Sequence, residues 1–116
     1  MNYVDLANFA AKAAASKKAI RMVLMDLRGM SDLCDYQLIC SGENARQTLA
    51  IAESIERSVR TEFRVKPSAI EGKTNGNWIL MDYGPVNIHI FYDYLRDFYA
   101  LEQLWPKAKF IDLKSV

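Results

Sequence analysis

The segment 44–63, NARQTLAIAESIERSVRTEF, constrains this chain more than any other. Asn44 is suited to cap a helix, and Gln47 stands where it can complete a capping box. Thr48, Ile51, Ala52, Ile55, Val59 and Phe63 then repeat at the period of one helix face. Glu53, Glu56, Arg57 and Arg60 lie off that stripe, as a solvated face with i,i+3 and i,i+4 pairs would. A helix with one apolar stripe needs a second layer to cover it, and the flanking segments must supply that layer.

Those segments read as strands. Residues 19–27, AIRMVLMDL, are apolar on both faces, as an interior strand covered by helices would be, and end at Arg28-Gly29. YQLICSG, 36–42, follows after a short loop, which suits an antiparallel pair. Beyond the helix come three short strands, at about 68–73, 77–83 and 86–92. Asn75-Gly76 predicts a type I′ hairpin, and Gly84-Pro85 marks the next reversal.

Two more helices complete the chain. Tyr3, Leu6, Ala7, Ala10 and Ala14 share one face of a helix over 3–16. Leu95, Phe98, Tyr99, Leu101 and Trp105 are the apolar residues of a helix over 93–105, stopped by Pro106. The tail carries Phe110, Ile111 and Leu113, enough to pack down but with no element assigned. The order α, β, β, α, β, β, β, α predicts one α/β layered domain over 1–116, a mixed five-stranded sheet flanked by helices. A chain of 116 residues buries enough surface to need neither metal nor disulfide.

Charge narrows the function. Fifteen basic against 14 acidic residues leave a net charge of +1, too little for a general nucleic-acid binder, and no sequence-specific nucleic-acid contact is expected. Lys12, Lys17 and Lys18 read as complements to a helix end. Cys34 and Cys40 form no CxxC and read as small buried residues of a reducing compartment. No apolar run approaches the ~20 residues that span a bilayer, and the N-terminus lacks the order of a signal peptide. The expectation is a cytoplasmic protein with no membrane partner.

Catalytic patterns are missing. Neither GxxxxGK[ST] nor GxGxxG occurs, and Ser41-Gly42 before the central helix reads as a loop-to-helix transition rather than an anion site. His89, the single histidine, excludes a multi-His metal site and reads as a hydrogen-bonded structural residue. Asp26 and Asp82 stand alone on their strands, and Asp32 and Asp35 sit in a loop, so no two acids alternate on one strand to face a metal. No catalytic residue, metal or cofactor is assigned.

Taken together, VLMDLRGMSDLCDYQLICSGENARQ, EGKTNGNWILMDYGPVNIHIF and RDFYALEQLW resemble the ribosomal silencing factor family, also called Iojap-like proteins. The motif positions are Asp26, Gly29, Asp35, Tyr36, Ile39, Cys40, Ser41, Gly42, Arg46 and Gln47, then Glu71, Gly72, Trp78, Asp82, Gly84, His89 and Phe91, with Arg96 and Tyr99 in the last segment. Pro85 stands where the family usually has an acid, and LWPKA replaces its usual Trp-Gly-Asp. The resemblance implies a nucleotidyltransferase-like fold without the catalytic acids. It also implies a factor, often a homodimer, that binds large-subunit ribosomal protein fourteen on the large ribosomal subunit. By that resemblance, occupying the face where the small subunit would dock is expected to block its joining and to repress translation when nutrients are limiting. The alternatives are a nucleotidyltransferase-like enzyme binding a nucleotide and Mg, and a dimeric interaction module with another protein target.

Strand alternation puts Trp78, Leu80 and Asp82 on one face and Ile79, Met81 and Tyr83 on the other, without saying which is buried. The Trp78 face, ending in Asp82, is the expected docking surface, with Tyr83, Gly84 and His89 beside it. A large aromatic can anchor an interface, and an acid can meet a basic rim.

Overall fold

Every residue of YQLICSG is buried, and the rest of the molecule is laid out around that strand. The computed structural model describes residues 2–113. Its elements are α1 (Tyr3–Ser16), β1 (Ile20–Asp26), β2 (Tyr36–Gly42), α2 (Ala45–Phe63), β3 (Ala69–Glu71), β4 (Trp78–Asp82), β5 (Val86–Tyr92), α3 (Asp93–Tyr99), a 3₁₀ turn (Leu101–Leu104) and β6 (Lys109–Ile111). The strands form one sheet in the order β3-β4-β5-β2-β1-β6. β2 and β5 run parallel, and the other neighbours run antiparallel.

The two long helices cover one face of this sheet. Ala7, Ala10, Ala11 and Ala14 are fully buried, and side chains that small let α1 come close to its neighbours. Leu24, Leu38, Cys40, Ile79, Met81, Ile88 and Ile90 of the sheet meet Ile51, Ile55 and Val59 of α2. Each such aliphatic side chain stabilises the fold by roughly 2 kcal/mol. The Asn44 side chain accepts from the Gln47 N–H at 2.9 Å, which starts α2 at the expected position.

A second, smaller apolar cluster lies on the opposite face. Met25, Leu27, Cys34, Ile39 and Phe91 are its buried members, with Val23, Trp78, Leu101, Trp105 and Ala108 packed around them.

Three expectations are corrected. The sheet has six strands, not five. β6 pairs with the outer edge of β1, Met25 opposite Phe110, and a strand of three residues is too short to leave a period in the sequence. The last helix stops at Tyr99, not at Trp105: Ala100 turns left-handed (φ 46°), and the chain continues as a 3₁₀ turn. That break lets Leu101 and Trp105 join the second cluster. Finally, Asn75-Gly76 is not a two-residue I′ turn. β3 and β4 are joined by a longer loop in which Gly72 (φ 90°) and Gly76 (φ 72°) take positive φ and Asn75 does not. A tertiary contact fixes this loop, because the Thr48 hydroxyl of α2 donates to the Gly76 carbonyl at 2.7 Å.

Candidate functional site

β4 divides its side chains as alternation requires. Ile79 and Met81 are fully buried under the helices, so Trp78, Leu80 and Asp82 face the other way and are half-buried. β5 presents His89 and Phe91 beside them, with Leu80 opposite His89 and Trp78 opposite Phe91.

Trp78 is the centre of an aromatic group. Its ring lies 4.9 Å from Phe91 at an interplanar angle of 29°, and 4.6 Å from Tyr99 of α3. Phe98 meets the edge of Tyr99 at 5.3 Å and is 83% exposed, so the group runs from the second cluster out to solvent. The indole Nε1–H donates to His89 Nδ1 at 3.0 Å. Burial lowers the His89 pKa from 6.5 to about 4, which keeps the ring neutral at neutral pH.

Asp82 closes the strand. Its Oδ1 accepts the Gly84 N–H at 2.8 Å, fixing a turn in which Gly84 has φ 81° and open space around its Cα. The face therefore offers an aromatic centre, a neutral imidazole and one partly exposed carboxylate. Tyr83 does not share it. That ring is buried in the cluster under the helices, and burial pushes its phenol up to about 12.

The remaining motif residues are structural in their contacts. Arg96, 2% exposed, donates to the Ser41 hydroxyl at 3.1 Å, to the Arg21 carbonyl, and to Glu102 at 2.9 Å. Arg21 in turn pairs with Asp93 at 2.8 Å and Asp97 at 2.6 Å, so α3 is tied to β1 and β2 from two directions. The hydrogen-bonded partners Asp97 and Asp93 raise the Arg21 pKa, so the ion pairs persist at any pH that leaves those acids ionised.

Ser41 and Gly42 are buried, and a Cβ on Gly42 would touch Thr48 at 3.1 Å. Gln47 Oε1 accepts the Glu43 N–H at 2.6 Å, and its amide nitrogen donates to the Lys17 and Lys18 carbonyls at 3.0 Å each. The start of α2 is thus filled by the chain's own groups. Arg46 is exposed beside it.

At the other end of the sheet, Asp26 pairs with Arg28 at 2.7 Å, which lowers the Asp26 pKa. The Arg28 guanidinium lies 5.3 Å from the Tyr36 ring. Gly29 (φ 78°) turns the loop that follows, and the Asp35 N–H donates to the Pro85 carbonyl at 2.8 Å while its side chain is exposed. Among the described residues, no three His, Cys, Asp or Glu side chains come together as metal ligands. A hollow of about 440 Å³ between Met22–Leu24 and Phe110–Leu113 contains one carboxylate, Asp112, and no base.

Sequence reading missed the exposure of Phe98 and the role of Glu102. The helical period places Phe98 with the apolar residues of a helix over 93–105, whereas the structure ends α3 at Tyr99 and leaves Phe98 exposed. The acid six residues after Arg96 was the one available signal for the buried ion pair.

Comparison with known proteins agrees with this architecture. The family model described as "Ribosomal silencing factor during starvation" matches residues 1–116. The chain is 34% identical over 116 residues to the ribosomal silencing factor of Halalkalibacterium halodurans, covering 100% of this chain and 98% of the relative. It is 35% identical over 113 residues to that of Bacillus subtilis, covering 97% and 95%. The crystal structure of a Chromobacterium violaceum protein superposes with a TM-score of 0.86 at 26% identity, over 99% of this chain and 98% of that one. With a family model matched end to end on a fold its relatives share, the chain belongs to the ribosomal silencing factor family.

Proposed function

We propose that this chain binds the large ribosomal subunit through the Trp78 face, docking on large-subunit ribosomal protein fourteen and blocking the approach of the small subunit. Translation falls because a surface is occupied, and no bond is made or broken. The observation that carries this reading is the aromatic group of Trp78, Phe91 and Tyr99 on the sheet face that α1 and α2 leave free, with Asp82 at its edge. Large, rigid aromatics beside a charged rim are the composition of interface hot spots. Leu80 and His89 complete the face, and Gly84 holds its boundary turn, whereas Tyr83 supports it from the core side.

Further features fit a non-enzymatic factor. The Ser41 hydroxyl is taken by Arg96, the first turn of α2 is filled by Gln47, and Asp26 and Asp82 make separate local contacts. A nucleotide and its metal would need those groups free and close together. No helix among the described residues is long and apolar enough to cross a membrane. The proposed place of action is the ribosome in the cytoplasm. The homodimer belongs to the same proposal.

The test is co-sedimentation with purified large subunits. Trp78→Ala and Asp82→Ala should each weaken binding by about tenfold or more. Folded variants that pellet as tightly as wild type sink the assignment, and saturable binding of a nucleoside triphosphate with Mg²⁺ favours the enzyme reading instead.

A further inference from the structure

The docking face carries a fixed proton. An indole nitrogen can only donate, so the 3.0 Å bond from Trp78 Nε1 requires a bare nitrogen at His89 Nδ1. An imidazole that is neutral and bare at Nδ1 must carry its hydrogen on Nε2. That Nε2 has no hydrogen-bond partner among the described residues, nor is it among the buried polar atoms left unpaired. His89 keeps 7% of its surface, a narrow opening to the outside.

We infer that Trp78 is a positioning residue that locks His89 as a single outward N–H donor, making His89 the specificity contact for a hydrogen-bond acceptor on the docked ribosomal protein. The inference rests on the docking reading above and adds the chemistry of one contact. An acceptor, such as a backbone carbonyl, fits His89, whereas a lysine or arginine at that point would meet donor against donor. Asp82, at the end of the adjacent strand, is where a basic group fits. The two residues thus select opposite chemistries, His89 at the middle of the face and Asp82 at its end. Leu80 opposite His89 and Ile39 on its other flank are apolar, so neither cross-strand neighbour offers a donor in its place. An unmet donor of this kind disfavours the wrong partner as well as favouring the right one.

Two measurements test the idea. Long-range proton–nitrogen correlation on the ¹⁵N-labelled full chain at neutral pH should find His89 protonated at Nε2 and bare at Nδ1. In Trp78→Phe, which removes the indole donor, the two tautomers should mix. A protonated Nδ1 in the wild-type chain, or an averaged ring, overturns the lock. In co-sedimentation with purified large subunits, His89→Leu should lose about tenfold in affinity, while His89→Gln, whose amide N–H reaches a similar point, should stay close to wild type. If Trp78→Ala and Asp82→Ala lose binding but folded His89→Leu does not, the donor role fails and the docking face stands. If no variant alters binding, or the wild type ignores large subunits, the docking reading fails and the donor role falls with it. The tautomer is decided by the spectrum in either case, and that measurement does not depend on whether a substituted chain folds.

Discussion

Arg96 and Ser41, 55 residues apart in sequence, share a buried hydrogen bond of 3.1 Å that fastens α3 to the central strand. The same guanidinium donates to Glu102 through Nε at 3.2 Å and through a terminal nitrogen at 2.9 Å. Arg96→Ala should therefore destabilise the chain by about 3 kcal/mol, since it leaves the Ser41 hydroxyl and Arg21 carbonyl short of a donor. Arg96→Lys should recover only part of this, because an ammonium cannot reach three acceptors in one fork. Urea unfolding of both variants checks the order. Equal midpoints for Arg96→Ala and wild type would remove the clamp from the account.

His89 sets a pH dependence. Its folded pKa, about 4, lies below the ordinary 6.5, so the unfolded chain takes up the proton first. The associated stability is intact above pH 6.5 and declines as the pH falls toward 4, by roughly 3 kcal/mol in all. Below that window the loss levels off for this group, and Asp26, held below its ordinary 3.8 chiefly by the Arg28 hydrogen bond, becomes the next to respond. Urea midpoints at about pH 7.5 and about pH 4.5 should differ in the wild type and differ less in His89→Gln.

Gly72 and Gly84 both adopt positive φ but should respond differently to alanine. A Cβ on Gly72 would strike the Trp78 carbonyl oxygen, whereas one on Gly84 meets nothing within 4 Å. Gly84→Ala should cost about 1 kcal/mol, from backbone strain alone. Gly72→Ala adds a backbone collision and should cost more, about 3 kcal/mol, with Trp78 displaced. Thermal melts with tryptophan fluorescence rank the two.

Both thiols should be slow to react. Burial pushes Cys34 up to about 11 and Cys40 up to about 12, so neither supplies thiolate at neutral pH. Ellman's reagent should label Cys34 first and Cys40 only on unfolding, as the greater burial of Cys40 requires. Rapid labelling of Cys40 in the folded chain would contradict its position in the core.

Sequence reading located the elements whose signals are local and repeated. The stripe from Thr48 to Phe63 and the alternation through β4 each specify both an element and a face. It failed where a distant contact decides. Gly76 is held by Thr48, and the end of α3 depends on where Leu101, Glu102 and Trp105 find partners. β6 exists because β1 has a free edge, and nothing within Lys109–Ile111 announces that. For β4, alternation separated Trp78, Leu80 and Asp82 from Ile79, Met81 and Tyr83, but only packing identifies which of the two sides the helices cover.

The parallel register of β2 with β5 has a consequence for how the chain is made. Tyr36 lies opposite Val86 and Gly42 opposite Tyr92, so the middle strand waits for residues synthesised some fifty positions later. Until they emerge from the exit tunnel, one edge of β2 has no permanent neighbour, a state prone to mispairing with other nascent chains. A message truncated before codon 92 should therefore yield a product that is degraded or aggregates, not a smaller working factor.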